Sequence, residues 1–338
     1  STMIITNPPL ERLGHVDTVR RYLPPDTAVH VLVIPDAEPE AKVVREGVEA
    51  LNAYKVDQII ALGGGSVIDA AKIMKLQYEA PSADLEELAA PFLDIRKRVV
   101  QYPTEKVHHA RLIAAATTSG TGSEVTPFAV LIDKEAGRKI TLADYSLTPD
   151  VAIVDPQFVM TMPKGLTADT GIDCLVHALE AGVSIHSSPY TEANAMQAIR
   201  LTFRYLPTAY AQPDNVEARS MMHNAACIAA LAFSNASVGV NHALAHAFGA
   251  RFGVPHGRAN ALMLPHVIRR NGKQVEALYH ELVECVPVLG VQNDHSTATE
   301  VLAAFVAQIS RRGGLAGKLS ECGVPRESLP QLAAAATE

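Results

Sequence analysis

Five short runs of β-branched and small apolar residues punctuate the first half of the chain. They are MIIT at 3–6, VHVLVI at 29–34, QIIAL at 58–62, LIAAA at 112–116 and VAIV at 151–154. Stretches with helical periodicity lie between them, at Leu13–Tyr22, Ala41–Tyr54 and Ser66–Tyr78. Strand-length apolar runs alternating with helices predict a mainly parallel, doubly wound sheet. After Pro156 the pattern changes. From Ala168 onward the chain shows long Ala- and Leu-rich helical patterns and hardly any strand signal. The expected architecture is an α/β, Rossmann-like N-terminal domain over residues 1–156, followed by an all-α C-terminal domain over 157–338.

Composition narrows the function classes. The chain has 338 residues, 48% hydrophobic and 19% charged, which is enough for two cores and argues against disorder. A formal charge of −7 argues against nucleic-acid or anionic-membrane partners. No apolar run approaches the ~20 residues of a membrane helix, and no basic region leads into a long apolar one at the start, as a signal peptide requires. Four cysteines, Cys174, Cys227, Cys285 and Cys322, are scattered without CxxC spacing, which predicts reduced thiols and a cytoplasmic location. The chain enters its first strand almost directly and without an initiator methionine, which predicts a trimmed chain.

Two glycine-rich turns suggest a nucleotide. Strand QIIAL runs straight into Gly63-Gly64-Gly65-Ser66 and then a helix, so the backbone can approach a pyrophosphate while the helix N-terminus offers N–H groups. The spacing is not GxGxxG, and a purely structural tight turn is the alternative. Strand LIAAA runs into Thr117-Thr118-Ser119-Gly120-Thr121-Gly122-Ser123, dense in hydroxyls and backbone donors. Taken alone, this second turn also fits an N-cap loop. Both turns follow the carboxyl ends of strands, where α/β sheets place ligands, and that coincidence favours nucleotide binding, so a dinucleotide-binding first half is expected.

The second half carries imidazoles. In NHALAHAFGARFGVPHG, His242 and His246 are four apart and share one face of a helix. Gly249, Gly253 and Pro255 offer a break that returns His256 to the first pair. Upstream, Asp173 and His177 are again four apart on a helical pattern. Together they form a nitrogen and oxygen set suited to a divalent transition metal, so a metal-binding second half is expected. Satisfied core or surface histidines are the alternative at each half-site, and spacing leaves His242 and His246 as equal candidates.

GGGS with Asp69 and Lys72, TTSGTGSEVTPF, the Asp173/His177 pair and NHALAHAFG…VPHGRANALMLPHVIRRN together resemble the iron-containing (group III) alcohol dehydrogenases, over essentially the whole chain. EELAAPFLDIRKRV, TLADYSLTPDVAIVDP and MPKGLTADTGIDCLVHALEA are similar to the alcohol dehydrogenase domain of bifunctional aldehyde-alcohol dehydrogenases. The resemblance implies a divalent metal, Fe²⁺ or sometimes Zn²⁺, on Asp173, His177, His242 and His256. It implies that His246 sits by substrate and nicotinamide. The NAD or NADP cofactor would lie on Gly63, Gly64, Gly65, Ser66, Asp69, Thr117, Thr118, Thr121, Ser123 and Lys139, and the substrate among Phe128, Phe233 and Val238. His266 receives no role, and Cys174 is expected in the core.

The chain departs from the family in two places. Relatives that prefer NAD often end their first long strand with an acid that reads the adenosine ribose. Asn7 stands there, which leaves NAD and NADP both open. Relatives also carry segments before this strand and beyond Glu338, which leaves assembly open between a homo-oligomer and part of a larger bifunctional chain. The resemblance thus implies hydride transfer between NAD(P)(H) and a short primary alcohol or aldehyde, ethanol and acetaldehyde foremost, with the metal as Lewis acid and His246 relaying the proton. The alternatives are a diol or lactaldehyde reductase of the same family, or a filament scaffold with vestigial chemistry.

Overall fold

The computed structural model describes residues 1–85, 89, 106–133, 138–284, 297–315 and 317–336. Cys285 and the EELAAPFLDIRKRV stretch, Ala89 apart, lie outside the described residues. The chain divides into two compact units, Ser1–Thr117 with Ser123–Phe158, and Thr118–Gly122 with Val159–Glu338.

In the first unit, β1 (Thr2–Thr6), β2 (Val29–Val33), β3 (Gln58–Gly63), β4 (Arg111–Ala116) and β7 (Val151–Ile153) form one parallel sheet, ordered β2-β1-β3-β4-β7. Side chains alternate between its faces, as strand geometry requires. Met3, Ile5, Ile59, Ala61, Leu112 and Ala114 point into one core, and Ile4, Ile60, Leu62 and Ala115 into another. The first core is completed by α3 (Ala41–Tyr54) and α4 (Gly65–Glu79).

Two local differences from the sequence pattern have physical causes. The single helix expected at Leu13–Tyr22 is instead α1 (Pro8–Arg12) and α2 (His15–Arg20). Asn7 caps Leu10 N–H and the Pro8-Pro9 pair opens a helix before the apolar pattern begins. Strands β5 (Phe128–Asp133) and β6 (Arg138–Ala143) form an antiparallel pair that the strand pattern above omits. Its signal is present as period-two burial: Ala129, Leu131, Ile140 and Leu142 are buried.

The second unit is helical: α5 (Lys164–Val183), α6 (Pro189–Ala211), α7 (Val216–Ala236), α8 (Val240–Phe252), α9 (His256–Glu284), α10 (Ala298–Arg312) and α11 (Leu329–Ala335). Alanines on α5, α6 and α7 let these three helices pack closely, and α9 packs on α5, α8 and α10. Among the described residues no single helix is long and apolar enough to cross a membrane. α7 and the first part of α8 pass that test only together, across a bend of 104°.

Arg219 on α7 is buried and pinned by three bonds: Nε donates to Pro213 O, Nη1 to Thr167 Oγ1 and Nη2 to Met162 O. Lysine cannot serve three acceptors in that fork geometry. Arg219→Lys should lower unfolding stability by about 2 kcal/mol, the cost of leaving a buried acceptor unmet. A urea midpoint equal to that of the native chain would contradict this account.

Candidate metal centre and glycine turns

In the second unit, α5 carries Asp173, His177 and Glu180 at spacings of four and three, so all three lie on one face of a buried helix. α8 brings His242 and His246. The chain then turns at Gly253, which caps α8 in the left-handed conformation (φ +65°), and α9 starts at His256. The glycine and proline break expected from sequence is there, and it returns His256 to the cluster. One donor atom from each of Asp173, His177, His242 and His256 lies within 4.8 Å of the others. Asp173 Oδ1 is 3.4 Å from His256 Nε2 and 4.0 Å from His242 Nε2, and Asp173 Oδ2 is 3.9 Å from His177 Nδ1. Cys174 is fully buried beside Thr202, on the side of α5 away from the cluster's donors, and His266 is exposed on α9.

A surrounding layer holds these donors in place. Glu180 Oε2 lies 2.6 Å from His242 Nδ1, and Glu180 Oε1 accepts from Asn241 N at 2.6 Å. A carboxylate on Nδ1 fixes the tautomer with a proton there and leaves Nε2 free to ligate. His177 Nδ1 faces Gly120 O at 3.3 Å, and its ring stacks on Phe233 at 4.4 Å. Asn260, fully buried, donates to Asp173 Oδ1 at 2.7 Å and accepts from Asn241. Its amide also lies 3.3 Å from His242 Nε2 and 3.2 Å from His256 Nε2. Glu180, Asn241 and Asn260 are functional neighbours that the sequence reading missed. The signal for Glu180 was its seven-residue offset from Asp173 on the same helix face.

The electrostatics suit a cation. Burial would raise Asp173, but the surrounding imidazoles and the Asn260 amide bring it down to about 2. Burial would likewise raise Glu180, and its bonds to His242 and to backbone N–H groups lower it instead. Burial pushes His177 down to about 4 against the pull of Asp173. With the imidazoles neutral, as ligation requires, the two buried carboxylates hold two negative charges that a dication would balance. His246 is half-buried, its ring 5.0 Å from that of His256 and 5.9 Å from that of His242. Phe233 forms one wall of the cluster, whereas Val238 is partly exposed in the turn between α7 and α8. In the same turn Ser237 adopts φ +63°, a strained value for a residue with a side chain.

In the first unit, Gly63 ends β3 and Gly64 caps α4 with no side chain across the opening amides. A methyl on Gly63 would come within 2.6 Å of Val67 Cγ2, so only hydrogen fits this turn. Open amides at a helix start, reached by glycine backbone, fit a pyrophosphate. Asp69, one turn into α4, accepts from Ser123 Oγ at 2.5 Å and from Val130 N at 3.0 Å. Lys72, fully buried and pushed by burial to about 8, donates to Thr126 O, Thr126 Oγ1 and Phe128 O. Thr117 N bonds Gly63 O at 3.0 Å, joining the starts of the two turns. Thr118 and Thr121 belong to the second unit. Lys139 takes its place on β6 opposite Ile132, and its side chain lies outside the described residues.

Residues 1–156 match the family model described as iron-containing alcohol dehydrogenase, and residues 167–338 match the C-terminal model of the Fe-containing alcohol dehydrogenase family. The chain is similar to aldehyde-alcohol dehydrogenase 2 of Entamoeba histolytica, with 48% identity over 81% of this chain and 32% of that protein. It is also similar to the NADPH-dependent butanol dehydrogenase of Clostridium saccharobutylicum, with 39% identity over 93% of this chain and 78% of that one. It spans 32% to 38% of the length of the first aldehyde-alcohol dehydrogenases it matches. Among solved structures, the alcohol dehydrogenase from Oenococcus oeni superposes with a TM-score of 0.89 at 30% identity, covering 100% of this chain and 86% of that one.

Two outcomes follow from the cluster's chemistry. A neutral, buried His177 takes up its proton only after unfolding, so it contributes stability that is full above its unfolded value of 6.5 and is lost as pH falls toward about 4. Asp173 adds a loss from 3.8 toward about 2. Melting of the metal-free chain should therefore be level above about pH 7 and fall steadily below it; a flat profile down to about pH 4.5 would refute a neutral His177. Replacing the Nδ1 partner, Glu180→Gln should weaken divalent-metal affinity by about 10- to 100-fold in chelator competition, as loss of an outer-shell carboxylate does elsewhere.

Proposed function

The chain belongs to the iron-containing alcohol dehydrogenase family, and from that premise we propose that it interconverts a short primary alcohol and its aldehyde with NAD(P)(H), ethanol and acetaldehyde foremost. The observation that carries this reading is the convergence of Asp173, His177 and His242, all buried, with half-buried His256, backed by Glu180 and Asn260. These four side chains would hold a divalent ion, Fe²⁺ or Zn²⁺, which would supply Lewis-acid chemistry at the substrate oxygen.

The chain's own groups account for the rest. Oxidation of the alcohol delivers a hydride to the cofactor and one proton to the protein. His246, half-buried beside His256, takes that proton and passes it to solvent. Phe233, packed flat on His177, keeps water from that side of the centre and offers an apolar wall. Such a wall favours a small apolar alcohol over a diol, whose second hydroxyl would need a polar partner. Val238, in the turn after the helix that carries Phe233, extends that wall within the second unit. Gly63, Gly64, Gly65 and Ser66 bind the pyrophosphate through backbone N–H groups, with Thr117, Thr118, Thr121, Ser123 and Lys139 completing the nucleotide contacts. Asp69 serves by holding Ser123 in position.

Metal content and turnover of ethanol and acetaldehyde, before and after anaerobic loading with Fe²⁺ or Zn²⁺, test this reading. Turnover should appear on loading and vanish with the bound metal in His256→Ala. His246→Ala should keep its metal and lose rate by about 10²-fold or more, the scale of a lost proton-transfer group. Failure of the native chain to bind any divalent metal would sink the four-ligand site.

A further inference from the structure

The end of β1 holds a carboxylate that residue 7 does not itself carry. β1 and β3 pair from Thr2↔Gln58 to Ile5↔Ala61, so two residues further on Asn7 comes level with Gly63, the first residue of the glycine turn. β2 lies on the other side of β1, so the direction of winding reverses at the boundary between β1 and β3. Doubly wound sheets take dinucleotides at such a reversal, and an acid at the tip of the strand beside the glycine turn accepts the adenosine ribose hydroxyls.

Asn7 works in two directions. Its Oδ1 accepts from Leu10 N at 3.3 Å and caps α1, while its Nδ2 donates to Asp36 Oδ1 at 2.7 Å. Asp36 stands two residues past Ile34, whose N–H continues the β1–β2 ladder to Thr6 O. Asn7 is buried and Asp36 is exposed. An aspartate at position 7 could not donate, and it would set two carboxylates against each other. Asparagine instead fixes the carboxylate of the neighbouring strand at the same tip, with Asp36 Oδ2 still available to a ligand hydroxyl.

We infer that Asp36, held by Asn7, is the residue that reads the adenosine ribose and selects NAD(H) over NADP(H). The inference rests on the dinucleotide reading above. A carboxylate accepts from a ribose 2′-hydroxyl and repels a 2′-phosphate, which is itself anionic and acceptor-only. The neighbouring sequence strengthens the repulsion. Asp36, Glu38 and Glu40 fall within five residues, and no lysine or arginine occurs between Arg21 and Lys42. The Lys42 ammonium lies 3.8 Å from Glu46 on its own helix.

Calorimetric titration of the full chain with NADH and with NADPH tests this without relying on turnover. The native chain should bind NADH the more tightly. Asp36→Asn, a change at an exposed position, should raise the Kd for NADH by about tenfold or more, the scale of one charge-assisted hydrogen bond, and leave NADPH no weaker. Tighter NADPH binding by the native chain, or an unchanged ratio in Asp36→Asn, overturns the assignment of Asp36. Binding of neither nucleotide by the native chain overturns the dinucleotide reading, and the assignment with it.

Discussion

Asp173 places an ionised carboxylate where water cannot reach it, and the second unit is arranged around satisfying that charge. A buried carboxylate without partners is driven to protonate. Here α5 supplies His177 one turn on, α8 supplies His242, the turn at Gly253 delivers His256, and α9 adds the Asn260 amide. Glu180 brings a second buried charge to the same helix face and spends it on the Asn241 N–H and His242 Nδ1. The result is a site whose charges, donor types and tautomer all call for a dication.

The first unit follows the same logic around α4. The helix starts at the glycine turn and carries Asp69 and Lys72 one turn apart. Asp69 ties down Ser123 and Val130, and Lys72 ties down Thr126 and Phe128. The helix that the glycine turn opens thus also fixes the chain leaving the second glycine turn. Burial raises Glu124 in the same region, against the opposing pull of the Lys72 charge.

Much of this was legible in the chain. Five strands, the glycine turns at their ends, and the Asp173/His177 and His242/His246 spacings depend on local periodicity, which sequence records directly. Gly253 and Pro255 marked the break that returns His256. The β5–β6 pair carried a period-two pattern but lies across residues rich in charge. Glu180 was marked only by its seven-residue offset from Asp173, and Asn241 and Asn260 gave no signal of their own, because a buried amide is recognisable only once its partners are known.

Sequence therefore determined the five parallel strands, most of the helices and the residue types able to bind metal, since each follows from neighbours within a turn or a strand. The tertiary structure decided which nitrogen of His242 faces the cluster, since Glu180, 62 residues away, takes the other. It also decided where the carboxylate at the tip of β1 comes from. Asn7 reads as a missing charge along the chain, and only parallel pairing of β1 with β2 brings Asp36, 29 residues later, to its side. Charge complementarity acts through space, and the chain's linear order does not encode which distant groups the fold will bring within 3 Å.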